Sequence, residues 1–424
     1  MEYKEYELGE LIEYRNEKLL IENVSLENYI STENLLPNRN GKQNAEKLPN
    51  TKSVKKYYEN DILISNIRPY FKKIWQAEIP GGASNDVLIL NSCSNNTTND
   101  YLYYYLSQDK FFDYMTQTAK GTKMPRGDKK AILGYEIKVP NIKHIQNYIV
   151  NLGKNIDKKI ETNKKIIANL EELSQTLFNR WFVDFEFPDE NGNPYKSSGG
   201  EMVDSEIGEI PKEWYIKSIN EITSRVRTGL NPRKNFVLGY GENYYVTIKN
   251  MSNNNIYLNE KCDRINDEAL KIINKRSDLK KNDILFSGIG TIGRVYLVSE
   301  KPENWNISES IFTLRPSESL YSYYLYQLML SENLQNYVQQ LSSGSVQKGI
   351  RKGDLIKFKL PMSKNNFIEN LYSNKIKNYI FKVQNLRKEN LKLVKLRDTL
   401  LPKLMSGEIE IPDDIEVNED ELSI

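Results

Sequence analysis

The 424-residue chain is 39% hydrophobic and 27% charged, a composition of a soluble folded protein, and it is too long for one ordinary core. No apolar run approaches the length needed to cross a bilayer, and the acid-bearing start MEYKEYELGE has no apolar core, so a signal peptide is not expected there; the isolated Cys93 and Cys262 suit a reducing cytoplasm. The net charge of +2 is unevenly spread: eight acids and no base lie between Glu408 and Ile424, leaving 59 basic against 49 acidic residues elsewhere, a balance that permits phosphate contacts without proving them.

In chain order, residues 1–141 read as a domain of mixed strands and short helices. Strand formers gather at 62–64, 87–90 and 135–139, and an amphipathic helix is predicted over 101–115. Pro140 should stop the last strand, and a long helix follows over 142–183. Residues 184–213, with Asn191-Gly192-Asn193-Pro194 and Ser197-Ser198-Gly199-Gly200, read as an exposed linker. A second domain over 214–362 has strand formers at 244–248, 284–286, 294–298 and 311–314 and a helix over 321–338. It also ends at a proline, Pro361, before a second long helix over 363–405 and an acidic tail over 406–424.

The second domain repeats the first. Asn60-Asp61-Ile62-Leu63 returns as Asn282-Asp283-Ile284-Leu285 at an offset of 222, and SNDVLIL from Ser84 returns as SESIFTL from Ser308 at 224. Gly121-Thr122 matches Gly344-Ser345 at 223, EIKVP matches KFKLP at 221, and Thr176-Leu177-Phe178 matches Thr399-Leu400-Leu401 at 223. Blocks that keep their order while the offset drifts by a residue or two are what loop insertions leave in a duplicated domain.

Each long helix carries an apolar seven-residue repeat, which specifies a coiled-coil seam. In the first the seam is Ile149, Leu152, Ile156, Asn163, Ile166, Leu170, Leu173 and Leu177. In the second it is Tyr372, Tyr379, Leu386, Leu393 and Leu400, with Ile376, Val383 and Leu396 in support. Either stripe alone would face water, so the helices are expected to pair with one another, Asn163 fixing the register. The fold class that follows is α+β: two similar domains of mixed strands and short helices, separated by two long coiled-coil helices.

Catalytic motifs do not accumulate. Gly288-Ile289-Gly290-Thr291-Ile292-Gly293 has the spacing of a dinucleotide loop, but Arg294-Val295-Tyr296-Leu297-Val298 reads as a strand where that motif needs a helix to hold pyrophosphate. A flexible glycine loop between two strands fits better; its counterpart Ser65-Asn66-Ile67-Arg68-Pro69-Tyr70 has no glycine, so the two copies have diverged there. Asn193-Pro194-Tyr195 lacks the second proline of an adenine-methyltransferase tetrapeptide, and Pro188-Asp189-Glu190 lacks the following acid-x-Lys of a nuclease. There is no P-loop. His144 is the single histidine, which removes histidine triads and multi-histidine metal sites. Tyr103 to Tyr105, at helical spacing, read as packing residues before base-stacking ones.

The segment WFVDFEFPDENGNPYKSSGGEMVDSEIGEIPKEW, from Trp181 to Trp214, closely resembles the central junction of specificity subunits of type I restriction–modification systems. TLLPKLMSGEIE from Thr399 resembles the end of their second helical region. GTKMPRG from Gly121 and TGLNP from Thr228 resemble recurring pieces of their target recognition domains. The resemblance spans nearly the whole chain in the right order, and implies a non-catalytic subunit with a pseudo-twofold inside one chain: two target recognition domains, held apart by an antiparallel pair of the long helices, each read half of a split site in double-stranded DNA. It further implies two DNA methyltransferase subunits and two ATP-driven endonuclease subunits as partners. S-adenosylmethionine, ATP and Mg2+ would be held by those partners and no cofactor or metal by this chain.

Arginine can grip guanine and Asn or Gln adenine through paired hydrogen bonds, while Lys, Ser and Thr more often hold phosphates. The candidates are Asn66, Arg68, Lys72, Lys73, Thr122, Lys123 and Arg126 in the first domain. In the second they are Arg225, Arg227, Thr228, Arg233, Lys249, Arg294, Ser345, Gln347 and Lys348. Two rivals stand beside this reading. The specificity portion of a bilaterally cutting restriction enzyme would need nuclease and methyltransferase motifs in the same chain. A coiled-coil scaffold with paired protein- or carbohydrate-binding domains would show no salt-dependent affinity for DNA.

Overall fold

The computed structural model describes residues 2–318, 321–342 and 349–412. They form two compact units, one of residues up to Asn163 with those from Lys388 onward, the other Lys164–Arg387. The boundary falls inside both long helices, Lys143–Phe182 and Phe367–Ser406, of 40 residues each.

In the first unit a four-stranded antiparallel sheet places Val87–Ser92 beside Ile62–Ser65, flanked by Ile12–Tyr14 and Ile74–Gln76. The second unit has the same order: Ile311–Pro316 beside Ile284–Ser287, flanked by Thr223–Thr228 and Val295–Leu297. The smaller sheets differ. One unit joins Lys18–Leu20, Ser53–Tyr57, Gly81–Ala83 and Tyr29–Ile30; the other joins Asp263–Ile265, Asn243–Val246 and Trp305–Ile307. Each domain closes with an antiparallel strand pair, Tyr3–Glu7 on Glu136–Pro140 and Tyr215–Ser218 on Lys359–Met362. Pro361 sits within its strand, not at its end; in a two-stranded sheet the missing N–H can face away from the partner.

The repeated Asn-Asp has a structural cause. Asn60 and Asn282 take left-handed backbone, φ 67° and 71°, which asparagine tolerates. The acids that follow are buried. Asp61 accepts from Tyr58 N at 2.8 Å and from Arg15 Nε at 2.7 Å; Asp283 accepts from Lys280 N at 2.8 Å and twice from Arg315, both bonds at 2.8 Å. Each acid ties a tight turn to a neighbouring strand.

Beyond Pro361, four sequence expectations need correction. The helices read over 101–115 and 321–338 are each broken, into Asn99–Leu106 and Asp109–Gln117, and into Tyr321–Leu330 and Glu332–Ser342. The breaks fall at Ser107-Gln108, where no side chain caps the following helix, and at Ser331, whose Oγ accepts from Leu334 N as an N-cap inside an unbroken apolar period. The linker is not simply exposed: Phe185, Phe187 and Ile210 are buried with Phe182, Trp214, Tyr324 and Tyr372 in one aromatic cluster, and residues 202–205 and 208–211 pair as a hairpin. The tail begins later than residue 406, because Gly407 (φ 80°) ends the helix and Ile411 is buried in the first unit's core.

The fourth correction concerns the seam. Ile149, Ile156, Asn163, Tyr372, Leu386, Ile376 and Val383 are buried, and Leu152, Leu170, Leu177, Tyr379, Leu393 and Leu400 are half-buried. Ile166, Leu173 and Leu396 face solvent instead, at 36%, 48% and 46% exposure. The companion row lies four residues after the first, not three, and runs through Ile160, Ile167, Ser174 and Trp181. Adjacent apolar residues such as Ile166-Ile167 leave that choice open to periodicity. Within the first unit Asn163 Nδ2 donates to Glu389 and Asn390 at 3.0 and 2.9 Å, and Arg397 reaches Asp157 at 2.6 Å. Within the second, Arg387 reaches Glu171 at 2.7 Å and the Tyr372 hydroxyl donates to Ser174 O at 2.8 Å. Partner numbers fall on one helix as they rise on the other, so the contacting segments in each unit run antiparallel.

Candidate nucleic-acid interface

Each domain carries the same loop hub. In the first, Asn66 follows the buried strand Ile62–Ser65, donates its N–H to Asp86 O at 2.8 Å and accepts from Gly127 N at 3.0 Å; Arg68 N donates to Pro125 O at 2.8 Å. In the second, Gly288 N donates to Ser310 O at 2.9 Å and Gly288 O accepts from Ile350 N at 2.8 Å. Asn66 and Gly288, Asp86 and Ser310, Gly127 and Ile350 stand at the offsets of the sequence repeat. In both, a loop leaving a core strand is clamped by a loop from about sixty residues downstream, which makes a rigid platform.

The side chains on the platforms differ. On the first, Arg68 (φ 50°) is exposed, Tyr70 and Phe71 stand in solvent with ring centroids 4.8 Å apart, and the clamp adds exposed Thr122, Lys123 and Arg126, the last paired with Asp86 at 3.1 Å. Asn66 Oδ1 is buried without a partner. The second platform is backbone: Gly290 and Gly293 have φ of 86° and 90°, and a Cβ on Gly288 would lie 2.3 Å from the Phe312 ring. Leu88 occupies the position of Phe312 in the first domain. The glycine-rich spacing therefore answers to a larger neighbour, and a strand, Val295–Leu297, follows it.

Several candidate cations are committed to the fold. Lys72 pairs with Asp109 at 2.7 Å, Lys73 donates to Thr32 O at 2.5 Å, Arg225 pairs with Asp278 at 2.6 Å, and Arg294 donates to Ile248 O at 2.6 Å and to Met251 O. Thr228 accepts from Arg276 at 3.1 Å. Arg227, Arg233 and Lys249 are exposed, whereas Ser345, Gln347 and Lys348 lie outside the described residues. Sequence reasoning missed Arg351 and Lys352, both exposed directly after the clamp residue Ile350; Lys352 donates to Val226 O at 3.3 Å beside Arg227. Their position one step beyond the repeat of Gly127 was the available signal.

Beneath the first platform Lys55 is buried and donates to Asn85 O at 2.9 Å and Val87 O at 2.7 Å, on either side of the hub acceptor Asp86. Burial, with help from Lys129 and Lys18, holds its ammonium down at about 8. On the clamp, the Lys120 ammonium hydrogen-bonded at 2.5 Å and the Lys130 N–H hold the Asp128 carboxyl below its usual range. Among the described residues no group of three or more His, Cys, Asp or Glu is placed to hold a metal ion, and no helix is long and apolar enough to cross a membrane.

Residues 1–172 and again 211–366 match a family described as the type I restriction modification DNA specificity domain. The HindI specificity subunit of Haemophilus influenzae is 23% identical over 96% of this chain and 100% of its own length. The MjaIX specificity subunit of Methanocaldococcus jannaschii is 25% identical over 74% of this chain and 69% of its own. Among solved structures, a type I restriction–modification S subunit from M. genitalium covers 97% of both chains at a TM-score of 0.58 and 15% identity, a likeness of fold.

Proposed function

The chain belongs to the type I restriction–modification DNA specificity family and carries two copies of its domain, and from that premise we propose that it reads a bipartite DNA target, one short block per domain. The observation that carries the reading is the hub built twice with the same backbone hydrogen bonds and different side chains. Two platforms of one construction suit two blocks of one duplex, and their unlike surfaces suit two different base sequences.

In this reading the long helices form one antiparallel coiled coil that holds the domains at the two ends of a pseudo-twofold subunit, and at ~1.5 Å per residue each 40-residue helix spans about 60 Å. The chain does no chemistry. It directs adenine methylation by methyltransferase subunits and cleavage by ATP-driven endonuclease subunits, which bring S-adenosylmethionine, ATP and Mg2+. Exposed apolar residues on the long helices, Leu173, Phe381 and Leu396 among them, support a partner surface there. Arg68, Thr122, Lys123 and Arg126 serve the first block, and Arg227, Arg233, Lys249, Arg351 and Lys352 the second.

The test is selection from random duplex DNA by the full chain assembled with its methyltransferase. Enrichment of two short blocks at a fixed gap, with affinity falling steeply as salt rises, is expected. Equal recovery of all sequences would overturn the reading.

A further inference from the structure

Both reading loops are tied to the long helices through a short series of polar contacts. In the second unit the hairpin that pairs Met251–Ser252 with Asn255–Ile256 turns on Asn253 and Asn254, both left-handed at φ 48° and 52°, a stiff two-residue turn. Arg387 of the second long helix donates to Asn254 O at 3.0 Å and Asn253 O at 2.8 Å, while Glu171 of the first binds both Arg387 at 2.7 Å and Asn254 Nδ2 at 3.1 Å. The base of the same hairpin is held by Arg294, which leaves the glycine loop and donates to Ile248 O and Met251 O. Ile248 itself fills the space a Cβ on Gly290 would take, at 2.5 Å.

The first unit reaches the same end with other residues. Asp157 of the first helix accepts from Arg397 of the second at 2.6 Å and from the Tyr104 hydroxyl of the domain at 2.9 Å. Arg397 also binds Asp398, and Asp398 accepts from Arg39 at 3.3 Å. Arg39 pairs with Asp109, which also holds Lys72 at 2.7 Å. The backbone of this arm is fastened directly to the Arg68 loop: Asn38 N donates to Phe71 O at 2.8 Å and Arg39 N to Lys72 O at 2.9 Å. In both units the first helix supplies the acid and the second the arginine. The side chains of Arg387 and Arg397 are only 14% and 16% exposed and their acids about a third, whereas Arg39, 10% exposed, binds Asp398 and Asp109 at 36% and 63%, so water screens the first unit's outer link more than the second unit's.

We propose that Arg387 and Arg39 are positioning residues that fix the angle at which each reading platform stands on its helices, and so set how strictly the spacing between the two DNA blocks is enforced. The proposal rests on the bipartite reading above. Helix length alone fixes a distance. One base pair added to the gap moves the far block by about 3.4 Å and turns it by roughly 35°, so rejecting it also requires platforms that cannot swivel.

The experiment uses the full chain assembled with its methyltransferase and duplexes carrying the two selected blocks at the native gap, one base pair shorter and one longer. The unaltered protein should bind the altered gaps about 100-fold more weakly, on the scale of a mismatched base pair. Arg387→Met and Arg39→Met keep the apolar stem and lose the hydrogen-bonding fork. They should reduce that ratio to about tenfold or less while native-gap binding changes by no more than about threefold, with Arg387→Lys intermediate. Should Arg387→Met fail to fold, the isosteric Glu171→Gln reads the same latch. Unchanged spacing discrimination in soluble variants, or equal weakening at every gap, overturns the proposal. If the unaltered protein itself binds all gaps alike, the bipartite reading fails instead.

Discussion

The two platforms share a backbone and almost nothing else. Around Asn66 the loop is built of side chains, with Arg68, Tyr70 and Phe71 in solvent. Around Gly288 it is built of main chain, because Phe312 takes the room that Leu88 leaves free in the other domain. The contrast separates what holds a reading module together from what it presents. Backbone clamps and buried acids recur, while the surface residues are replaced.

The common supports should be the costliest to remove. Asp283→Ala removes two Arg315 hydrogen bonds and leaves that guanidinium only Asp278, and Asp61→Ala removes the acid that holds Arg15; each also leaves a turn N–H without its acceptor, and each should lower stability by about 3 kcal/mol. Chemical denaturation measures it, and a loss below about 1 kcal/mol in either variant would deny that the repeated Asn-Asp is structural.

Exchanging the differing residues comes next. Gly288→Asn, which gives the second platform the first one's residue, should cost about 2 kcal/mol through overlap with Phe312, and Phe312→Leu in the same chain should recover most of it. The converse Asn66→Gly should cost less than about 1 kcal/mol. Independent, additive effects of the Gly288 and Phe312 changes in a double-mutant cycle would show that the ring does not dictate the glycine.

The arginines should then separate by readout. Arg68→Ala should leave the melting temperature in place and weaken target binding by about tenfold, whereas Arg294→Ala should lower stability by about 1–2 kcal/mol as the Ile248 and Met251 carbonyls lose a charged donor. Melting curves beside titrations with selected DNA distinguish the two; a destabilised Arg68→Ala would place that residue among the supports.

The remaining contrast is a pH slope confined to the first domain. The unfolded chain holds the Lys55 proton up to about 10.5 and the folded domain releases it near 8, so between those values the unfolded state binds more protons and stability rises with pH. Below about 8 both states are protonated and the group contributes no slope. Unfolding at pH 7.5, 8.5 and 9.5, with Lys55→Met as control, should show a gain that the control lacks; an identical slope in both would remove Lys55 as its source.

Much of this plan was legible in the sequence because duplication leaves ordered blocks, and several of the blocks hold buried pieces of each domain: Asp61 with Asp283, and the strands that carry each hub. Helix breaks at Ser107-Gln108 and at Ser331 were hidden because neither disturbs the apolar period; at the second a single serine caps the new helix. The seam's second row was misplaced where Ile166 and Ile167 stand side by side and only packing chooses between them. At the candidate interface, residue type could name Arg68 and Lys123 but could not tell an arginine facing solvent from one spent on carbonyls, as Arg294 is. Nor could it find Arg39, whose partners Asp109 and Asp398 are remote in sequence.

The most direct test is a base-resolution map of the adenine methylation made by the chain with the proposed methyltransferase partner, for the unaltered protein and for Arg68→Ala. Two short blocks at a constant gap, with Arg68→Ala blurring one block and leaving the other intact, is the predicted result. A single continuous motif, or a variant that degrades both blocks alike, would contradict the assignment of one block to each domain.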